Sequence, residues 1–287
     1  MDLLSKTALV TGGAVRIGRA ICLALAGRGC NVVVHYNRSE KEAKNLAGMI
    51  SGMGVKGFTV QGDFSSRKGC EDVVGKSFEQ AGHIDFLVNN AAVFHKDNLM
   101  STDEGKFLAE MQVNFFAPIW LTREFAKRCG SKGVGGYGSR KQSETSNDPH
   151  TPKPPYAHTF PVGKVINLLD RRIEGIDQEC LSYQLSKKML AEFTKNAALE
   201  LAPYITVNGV APGAVLPPRS QRAEVGSQRS EKRQPFDLAG DVPLDRQCTP
   251  EDVAAAVVFL LEFDTITGQV IFVDGGQHLI GGVRAET

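Results

Sequence analysis

The chain has 287 residues and a formal net charge of +1, and 42% of its residues are hydrophobic and 23% charged. This balance is typical of a soluble globular protein, and nothing global in it favours a nucleic-acid or anionic-membrane partner. The six cysteines show no C-x-x-C spacing, so we expect neither a metal site nor a disulfide framework. No apolar run approaches the roughly 18–20 residues of a membrane span, and a strand pattern begins at once, so a cytoplasmic protein without a signal peptide is expected.

Short apolar runs alternate with helical patterns along the chain. Seven runs have the character of strands that are buried on both faces, and they cover residues 7–11, 31–36, 57–63, 84–90, 164–169, 205–210 and 269–274. Between them, segments such as 16–29 and 181–202 space their apolar residues three and four apart, as helices do. The sequence therefore predicts one α/β domain over residues 1–287, with a Rossmann-type, doubly wound, seven-stranded parallel sheet and helices on both faces.

The first predicted strand runs into a glycine turn, TGGAVRIG, and then directly into a helix. Glycines allow a tight turn and close approach to a pyrophosphate, and the helix N-terminus adds free N–H groups. This context predicts a dinucleotide site that includes Gly12, Ile17 and Gly18. Arg16 stands where a third glycine would fit, and it offers a planar fork to phosphate oxygens or to a polar substrate edge. A solvent-facing residue of the first helical turn is the alternative reading of Arg16.

The end of the second predicted strand indicates which dinucleotide is bound. It reads His35, Tyr36, Asn37, Arg38, Ser39, and no carboxylate occurs before the next residue, a glutamate. An acid at this place would accept the ribose hydroxyls and repel a 2′-phosphate, whereas Arg38 and Ser39 supply a charge and a hydroxyl to it. The predicted cofactor is therefore NADPH/NADP, with contacts from His35, Asn37, Arg38 and Ser39.

The third and fourth predicted strands end in polar or small residues. In open α/β sheets ligands bind beyond the carboxyl ends of the strands, so these ends are candidates for cofactor contact. By the same reasoning Asp63 suits a hydrogen bond to the adenine. The residues added to the cofactor site here are Asp63, Phe64, Asn90, Ala91 and Ala92.

Two segments depart from the alternation of strands and helices. Residues 130–163 are rich in Gly, Ser, Pro and Lys, which predicts a flexible insertion, with a lid or a partner-binding loop as the alternative. Residues 214–249 are long and polar and are predicted to form a substrate-binding loop. Its basic residues either attract an anionic substrate tail or form a solvated surface, and they are Arg219, Arg222, Arg229, Lys232 and Arg233.

Acid–base chemistry is indicated around the fifth strand. Asp170 ends the strand, and Tyr183 and Lys187 follow at i and i+4 of the next helix, so both point to one face. A cation near a phenol favours the phenolate, so we expect Lys187 to lower the pKa of Tyr183 towards the range useful for general acid–base catalysis. Pro212 and Gly213 follow the sixth strand and belong to the same edge of the sheet.

Several motifs together carry a family resemblance. TGGAVRIG, NNAA, Asn114 in VNFFAP, YQLSK and APG, followed by a C-terminal ITGQVIFVDGG, resemble the short-chain dehydrogenase/reductase family over nearly the whole chain. The resemblance implies that Asn114, Tyr183 and Lys187 are catalytic, that Asn114 holds a water in the proton path, and that Lys187 also binds the nicotinamide ribose. It also implies a homotetramer. The helical face around Met189, Phe193 and Ala197 could serve as its interface or could equally be intrachain core.

One departure from the family pattern is informative. The family usually places a serine near the position of Asp170 to hold a substrate carbonyl, and here the strand ends with two leucines and that acid. The pteridine reductases and the dihydromonapterin or dihydrofolate reductases, a sub-group of the family, are similar in four features: Arg16, the stretch His35–Ser39, Asp170 and Phe94. In that sub-group the pterin ring lies between the nicotinamide and such an aromatic.

The leading hypothesis is an NADPH-dependent reductase that transfers hydride to the C=N bond of a pterin or dihydrofolate-like substrate. Asp170 and Tyr183 would relay a proton to the nitrogen as a coupled pair, and the substrate site would comprise Arg16, Phe94, Asp170 and Tyr183. Replacing Asp170 is expected to cost far more activity than replacing Asp177. The alternatives are a ketone reductase, of a 3-oxoacyl thioester or a sugar, and a non-catalytic NADP-binding regulatory protein.

Overall fold

A seven-stranded parallel sheet runs through the part of the chain that the computed structural model describes, which is residues 2–130, 161–215 and 242–280. The strands are β1 Thr7–Val10, β2 Asn31–Tyr36, β3 Gly57–Gln61, β4 Phe86–Asn89, β5 Gly163–Leu168, β6 Ile205–Pro212 and β7 Val270–Val273. Their spatial order is β3-β2-β1-β4-β5-β6-β7, and every neighbouring pair is parallel. The predicted fold class and strand number are confirmed.

Helices connect the strands. They are α1 Arg16–Ala26, α2 Glu40–Gly52, α3 Arg67–Ala81, α4 Glu104–Met111, α5 Ala117–Gly130, α6 Leu181–Leu201 and α7 Pro250–Glu262. A π-helical turn, Gln112–Phe116, joins α4 to α5, and short 3-10 turns span Arg171–Ile173 and Gln277–Leu279. Local chemistry explains where some helices begin. Thr249 and Asp252 form a reciprocal capping box at the start of α7, with Pro250 in the first turn.

Two hydrophobic cores lie on opposite faces of the sheet. Side chains alternate along each strand, so Val10 and Val88 pack with α1 and α7, whereas Leu9 and Leu87 pack with α3 and α5. Each such buried aliphatic side chain contributes about 1.5–3 kcal/mol relative to an exposed one. The continuous apolar runs of the sequence are therefore explained by burial of both strand faces.

Strand ends differ from the predicted ones by one or two residues. Strand β3 ends at Gln61 rather than at Asp63, whose carboxylate accepts a hydrogen bond from the Ser65 N–H at 3.0 Å and so turns the chain. Strand β6 continues to Pro212, because Pro212 still pairs in register with Val273 of β7. Both changes lie at the carboxyl edge of the sheet, which is the edge that carries the site.

Several predictions fall wholly or mainly outside the described residues. They concern the insertion at 130–163 and the loop at 214–249, including its basic residues Arg219, Arg222, Arg229, Lys232 and Arg233. The helical face of α6 that the sequence offered as an interface lies within the described residues. Its members differ in burial: Met189 is 42% exposed, whereas Ala197 belongs to the intrachain core. Within the described ranges no helix is both long and apolar enough to cross a membrane.

Candidate active site

The carboxyl ends of β1, β2, β4, β5 and β6 meet at one edge of the sheet. Strands β2 and β3 extend the sheet to one side of β1, and β4 to β7 extend it to the other side. The gap between β1 and β4 is therefore the topological switch point, where such sheets bind ligands. Asn90 ties the two sides of this point together: its Nδ2 donates to the carbonyl oxygens of Thr11 at 2.8 Å and of Gly12 at 3.0 Å. The Thr11 hydroxyl oxygen accepts hydrogen bonds from the backbone N–H groups of Asn90 and Ala91. Thr11 is a positioning residue that the sequence analysis missed.

The glycine turn between β1 and α1 has no room for side chains. Gly12 has φ +58°, and a Cβ atom on Gly18 would overlap the carbonyl oxygen of Gly12 and lie 2.7 Å from Asn90 Nδ2. Helix α1 begins after Val15, no side chain among the described residues caps it, and its first turn holds no acid. Its first N–H groups and its positive dipole end therefore suit a pyrophosphate.

Arg16 begins α1 with φ +49°, in the left-handed region that favours glycine. A glycine would adopt this conformation without steric cost, so the backbone confirms that the arginine stands where a third glycine would fit. A non-glycine residue held there stores backbone strain, which is found mostly at functional sites. Its side chain is exposed at the same edge of the sheet, and Ile17 beside it is half-buried against the core.

His35 and Phe64 lie beneath the glycine turn. The Gly12 N–H donates to His35 Nδ1 at 3.0 Å, so Nε2 carries the hydrogen that faces the Gly62 carbonyl oxygen at 3.2 Å. Burial lowers the pKa of His35 from 6.5 to about 4, which keeps the ring neutral. Its ring stacks on Phe64, with centroids 4.3 Å apart. Both side chains thus support the glycine turn from below, and their contacts with a cofactor stay a prediction.

The end of β2 keeps the features that predict NADP. Asn37 and Arg38 are exposed, and Ser39 is half-buried at the start of α2. Glu40, the first acid after the strand, pairs with Lys44 at 2.7 Å, so its charge is directed along the helix. Asp63, predicted to contact the adenine, is exposed at the end of the neighbouring strand, with one oxygen used by Ser65.

Asp170, Tyr183 and Lys187 come together as predicted. The Tyr183 hydroxyl donates to Asp170 Oδ2 at 3.2 Å. Lys187 Nζ donates to the Leu168 carbonyl oxygen at 2.7 Å and lies 5.8 Å from the centre of the Tyr183 ring. Tyr183 and Lys187 are buried, since they lie one turn apart on the inner face of α6. At this edge Pro212 ends β6, and the Gly213 N–H donates to the Val273 carbonyl oxygen at 3.0 Å.

The predicted lowering of the Tyr183 pKa is wrong for this arrangement. Burial and the Asp170 carboxylate raise the pKa of Tyr183 well above 10, with Arg172 opposing them. Burial also lowers the pKa of Lys187 from 10.5 to about 8, although Asp170 acts in the other direction. The charge nearest to the phenol is thus an anion, and Tyr183 keeps its proton. Such a phenol is built to donate a proton.

Asn114 lies fully buried in the π-helical turn between α4 and α5. Its side chain exchanges two 2.9 Å hydrogen bonds with the backbone of Val93, and its Nδ2 also donates to Ser186 Oγ at 3.2 Å. The Ser186 hydroxyl in turn donates to the Tyr183 carbonyl oxygen at 2.7 Å. Asn114 therefore joins the loop after β4 to the turn of α6 that carries Tyr183, at a π-bulge of the kind often found at functional sites.

Phe94 stands over Tyr183. The two rings meet edge to face, with centroids 4.9 Å apart and planes at 85°, and Phe94 is 48% exposed. Ala92, on the same loop, is exposed, and Ala91 is half-buried. Phe94 thus forms an exposed aromatic surface beside Tyr183, and its predicted substrate contact stays a prediction.

A buried polar network fixes this loop to α6, and the sequence analysis missed it. Ser182 Oγ lies 2.7 Å from Asp97 Oδ2 and 2.7 Å from Glu110 Oε2, and Glu110 also accepts a hydrogen bond from the His95 N–H. The residues are far apart in the chain, and no local motif marks them.

Arg172 and Asp177 complete the surroundings of Asp170. Arg172 Nη1 lies 3.3 Å from each carboxylate oxygen of Asp170, and its Nε donates to Asp177 Oδ2 at 2.6 Å. Asp177 is therefore part of the same network. That replacing Asp170 costs far more activity than replacing Asp177 stays a prediction.

Two family profiles match the chain: one described as short chain dehydrogenase, over residues 6–136, and one described as Enoyl-(Acyl carrier protein) reductase, over residues 158–278. Pteridine reductase 1 of Leishmania tarentolae is 30% identical, with 96% of this chain and 97% of the relative covered. The chain belongs to the short-chain dehydrogenase/reductase family. It is therefore an oxidoreductase of a family that uses nicotinamide dinucleotides.

Other members of the family are similar over comparable lengths. The uncharacterized oxidoreductase YhxC of Bacillus subtilis is 28% identical, over 96% of this chain and 86% of the relative. Among solved structures, FolM alternative dihydrofolate reductase 1 from Brucella canis, complexed with NADP, has a TM-score of 0.75 at 30% identity and covers 100% of this chain and 98% of its own. The Brucella suis protein, also with NADP, has a TM-score of 0.73 at 30% identity and covers 96% and 95%.

Proposed function

We propose that this member of the short-chain dehydrogenase/reductase family is an NADPH-dependent reductase of a pterin or dihydrofolate-like substrate. The observation that carries the proposal is the 3.2 Å contact between Asp170 and the hydroxyl of Tyr183. An acid replaces the carbonyl-holding serine expected in the family, so the site is suited to a nitrogen that must be protonated. The similarity to a pteridine reductase and to FolM structures with NADP supports the same substrate class.

The residues at the carboxyl edge fit a dinucleotide in two places. The glycine turn is packed so closely that a Cβ atom on Gly18 would overlap the Gly12 carbonyl oxygen, and the N-terminus of α1, which no side chain among the described residues caps, follows it. Arg38 and Ser39, which follow β2, would hold the 2′-phosphate of the dinucleotide, and Lys187 on α6 would hold its nicotinamide ribose. When bound, the reduced nicotinamide supplies a hydride.

The proposed reaction adds one hydride and one proton across a C=N bond. The π bond breaks, a C–H bond forms with the hydride, an N–H bond forms with the proton, and NADPH leaves as NADP⁺. The buried Tyr183 holds the proton at its hydroxyl because burial and Asp170 disfavour the phenolate. Asp170 orients this hydroxyl, and Asn114 holds the helix turn beneath it in place. General acid catalysis of this kind is worth about 10²–10⁴-fold in rate.

A flat ring is proposed to bind beside Phe94. The aromatic surface is exposed, lies next to the proton donor, and is tied to α4 and α6 through Val93 and His95. Arg16, exposed at the start of α1, is proposed to contact a polar edge of the substrate or the cofactor phosphates. Stacking on a ring and hydrogen bonding by an acid together suit a pterin better than a simple ketone.

The test is NADPH consumption by the purified protein against two substrate panels, with NADH as the control cofactor. One panel holds dihydropterins, biopterin and dihydrofolate, and the other holds acetoacetyl thioesters and simple ketones. We expect turnover of the first panel. Turnover of ketones alone would make Asp170 incidental, and NADPH binding without any turnover would favour a regulatory protein.

We also propose that the protein is a homotetramer, that it is cytoplasmic and that residues 1–287 form a single domain. Three exposed apolar side chains on α6 are available to an interface: Leu185, Met189 and Leu199. Light scattering of the purified protein measures the oligomeric state. A monomeric mass at micromolar concentration would contradict the tetramer.

A further inference from the structure

Arg172 holds Asp170 from three directions. Its backbone N–H donates to Asp170 Oδ1 at 2.9 Å, and its Nη1 lies 3.3 Å from Oδ1 and 3.3 Å from Oδ2. Oδ1 therefore faces Arg172 alone among these partners, whereas Oδ2 faces both Arg172 and the hydroxyl of Tyr183. This leaves Asp170 with a defined orientation relative to the proton donor.

Arg172 is itself restrained. Its Nε donates to Asp177 Oδ2 at 2.6 Å. The segment is then fastened to α6 by Gln184, whose Nε2 donates to the carbonyl oxygens of Arg172 at 2.8 Å and Gly175 at 3.0 Å, and whose Oε1 accepts from the Asp177 N–H at 3.2 Å. Gln184 follows Tyr183 directly, so acid, guanidinium and phenol are held on one rigid unit.

We propose that Arg172, anchored by Asp177, is a positioning residue that keeps Asp170 an oriented carboxylate, so that Tyr183 is the proton donor and Asp170 accepts hydrogen bonds from N–H groups of the substrate ring. The proposal rests on the proposed function and deepens it. A carboxylate has no hydrogen to give, so the hydrogen between Asp170 and Tyr183 must belong to the phenol.

The guanidinium of Arg172 is positively charged. Burial works against the charged guanidinium, but Asp170 and then Asp177 outweigh burial and raise the pKa of Arg172 above its ordinary value. Asp177 is a carboxylate as well, because its pKa is lowered by Arg172 in spite of burial. A permanent cation in contact with both oxygens of an acid favours the ionised acid, since such charge-assisted contacts are about twice as strong as neutral ones.

Other charged and titratable groups near Asp170 are few among the described residues. The turn and loop after β5 and the helix α6 contribute most of them, the turn after β7 contributes one, and β6, which packs on the same turn, contributes none. They are Arg171, Arg172, Asp177, Cys180, Tyr183, Lys187 and His278. Among them Arg172 is the cation that contacts the Asp170 carboxylate directly.

The consequence for the substrate is specific. The ring binds next to an acceptor rather than an acid, so a substrate with ring N–H or amino groups beside its C=N bond is favoured. A ketone without such donors cannot add a hydrogen bond to the carboxylate, which makes its binding weaker than that of a pterin. Hydrogen bonding to Asp170 thus favours the first substrate panel over the second.

The first experiment compares steady-state kinetics of wild type, Arg172→Met and Arg172→Lys with a dihydropterin between pH 5 and 9. Arg172→Met is expected to lose about 10–100-fold in kcat/KM and to move the acid limb of its pH profile upward. Lysine keeps the charge but not the fork, so Arg172→Lys should restore the profile and only part of the rate. Asp177→Asn should move the profile in the same direction by less. An unmoved profile in Arg172→Met, with lower thermal stability, would overturn the proposal.

A matched control and a second readout separate this proposal from the proposed function. Arg67→Met removes a 2.7 Å arginine–glutamate pair on the surface of α3 and should leave the profile unchanged. Infrared difference spectra, with Asp170→Asn as the assignment variant, detect a protonated Asp170 without any substrate. Wild type should show none between pH 6 and 8, whereas Arg172→Met should show one. A protonated Asp170 in the wild type would overturn the proposal even if pterins are reduced, and its absence would support it even if they are not.

Discussion

The cofactor end and the chemistry end of the site depend on different kinds of interaction. At the cofactor end, backbone geometry does most of the work: Gly12 and Arg16 have positive φ, Gly18 leaves no room for a Cβ atom, and the buried His35 ring supports the turn from below. At the chemistry end, side chains act on one another inside a buried network around Asp170 and Tyr183. Substitutions at the first end should therefore act through shape, and substitutions at the second through charge.

The largest expected effect is at the chemistry end. Asp170→Ala removes the partner of the Tyr183 hydroxyl and should lower kcat for a dihydropterin by about 10²–10⁴-fold, the usual range for a general acid–base group. The measurement is steady-state NADPH oxidation. Asp72→Ala is the proper comparison, because Asp72 pairs with Lys68 on the surface of α3. Equal losses in both variants would remove Asp170 from the mechanism.

A second buried charge lies at the opposite edge of the sheet. Lys164, fully buried, donates to the carbonyl oxygens of Leu261 and Phe263 at 2.8 Å and pairs with Asp264 at 2.6 Å. Lys164→Met removes the donor of the Leu261 and Phe263 carbonyl oxygens and should cost about 2–5 kcal/mol of unfolding free energy, measured by urea denaturation, because each buried acceptor that loses its donor costs about 1–3 kcal/mol. Lys68→Met, on an exposed pair, should cost less than about 1 kcal/mol. Similar losses would show that burial does not matter here.

His35 gives the cofactor end a pH dependence. Its pKa is about 4 when folded, because of burial, against 6.5 for an ordinary histidine. The unfolded chain therefore binds the proton more readily, so stability is fully present above pH 6.5 and is lost as the pH falls towards 4. The loss should approach about 3 kcal/mol, at 1.36 kcal/mol per pKa unit.

The check on His35 is urea denaturation at several pH values between 4 and 7. His35→Gln keeps a hydrogen-bonding side chain that does not titrate, so the slope of stability against pH should flatten in this variant. His83→Gln, at a partly exposed histidine, should keep the wild-type slope. If His35→Gln and wild type have parallel curves, His35 does not titrate as its burial requires.

The smallest effect in free energy tests shape directly. Gly18→Ala inserts a methyl group against the Gly12 carbonyl and Asn90, and overpacking of this kind typically costs about 1–3 kcal/mol. NADPH affinity, measured by fluorescence titration, should fall by roughly 10–100-fold. Gly48→Ala is the matched control, because nothing lies within 4 Å of its added Cβ atom and α2 should gain about 0.5–1 kcal/mol. Unchanged affinity in Gly18→Ala would show that the turn adapts.

The sequence by itself determined the parts of the molecule that depend on short-range order. Alternation of apolar runs and helical periods predicts the seven strands, and the turn chemistry predicts where the dinucleotide site begins. Spacing within one helix places Tyr183 and Lys187 on the same face. The position of Asp170 near them is predicted by the rule that the carboxyl ends of parallel strands meet at one edge of the sheet. All of these follow from neighbours within a few residues or from a general rule of sheet topology.

Only the tertiary structure decided the groups that act at a distance or through burial. Ser182 meets Asp97 across 85 positions of the chain, and His35 meets Gly62 across 27, so no local pattern marks either contact. The direction in which the pKa of Tyr183 moves also depends on burial. The sequence predicts that the nearby lysine lowers this pKa, whereas in the folded protein desolvation and Asp170 raise it. Dielectric surroundings and long-range contacts are set by the packing of the whole sheet, because each requires groups that only folding brings together.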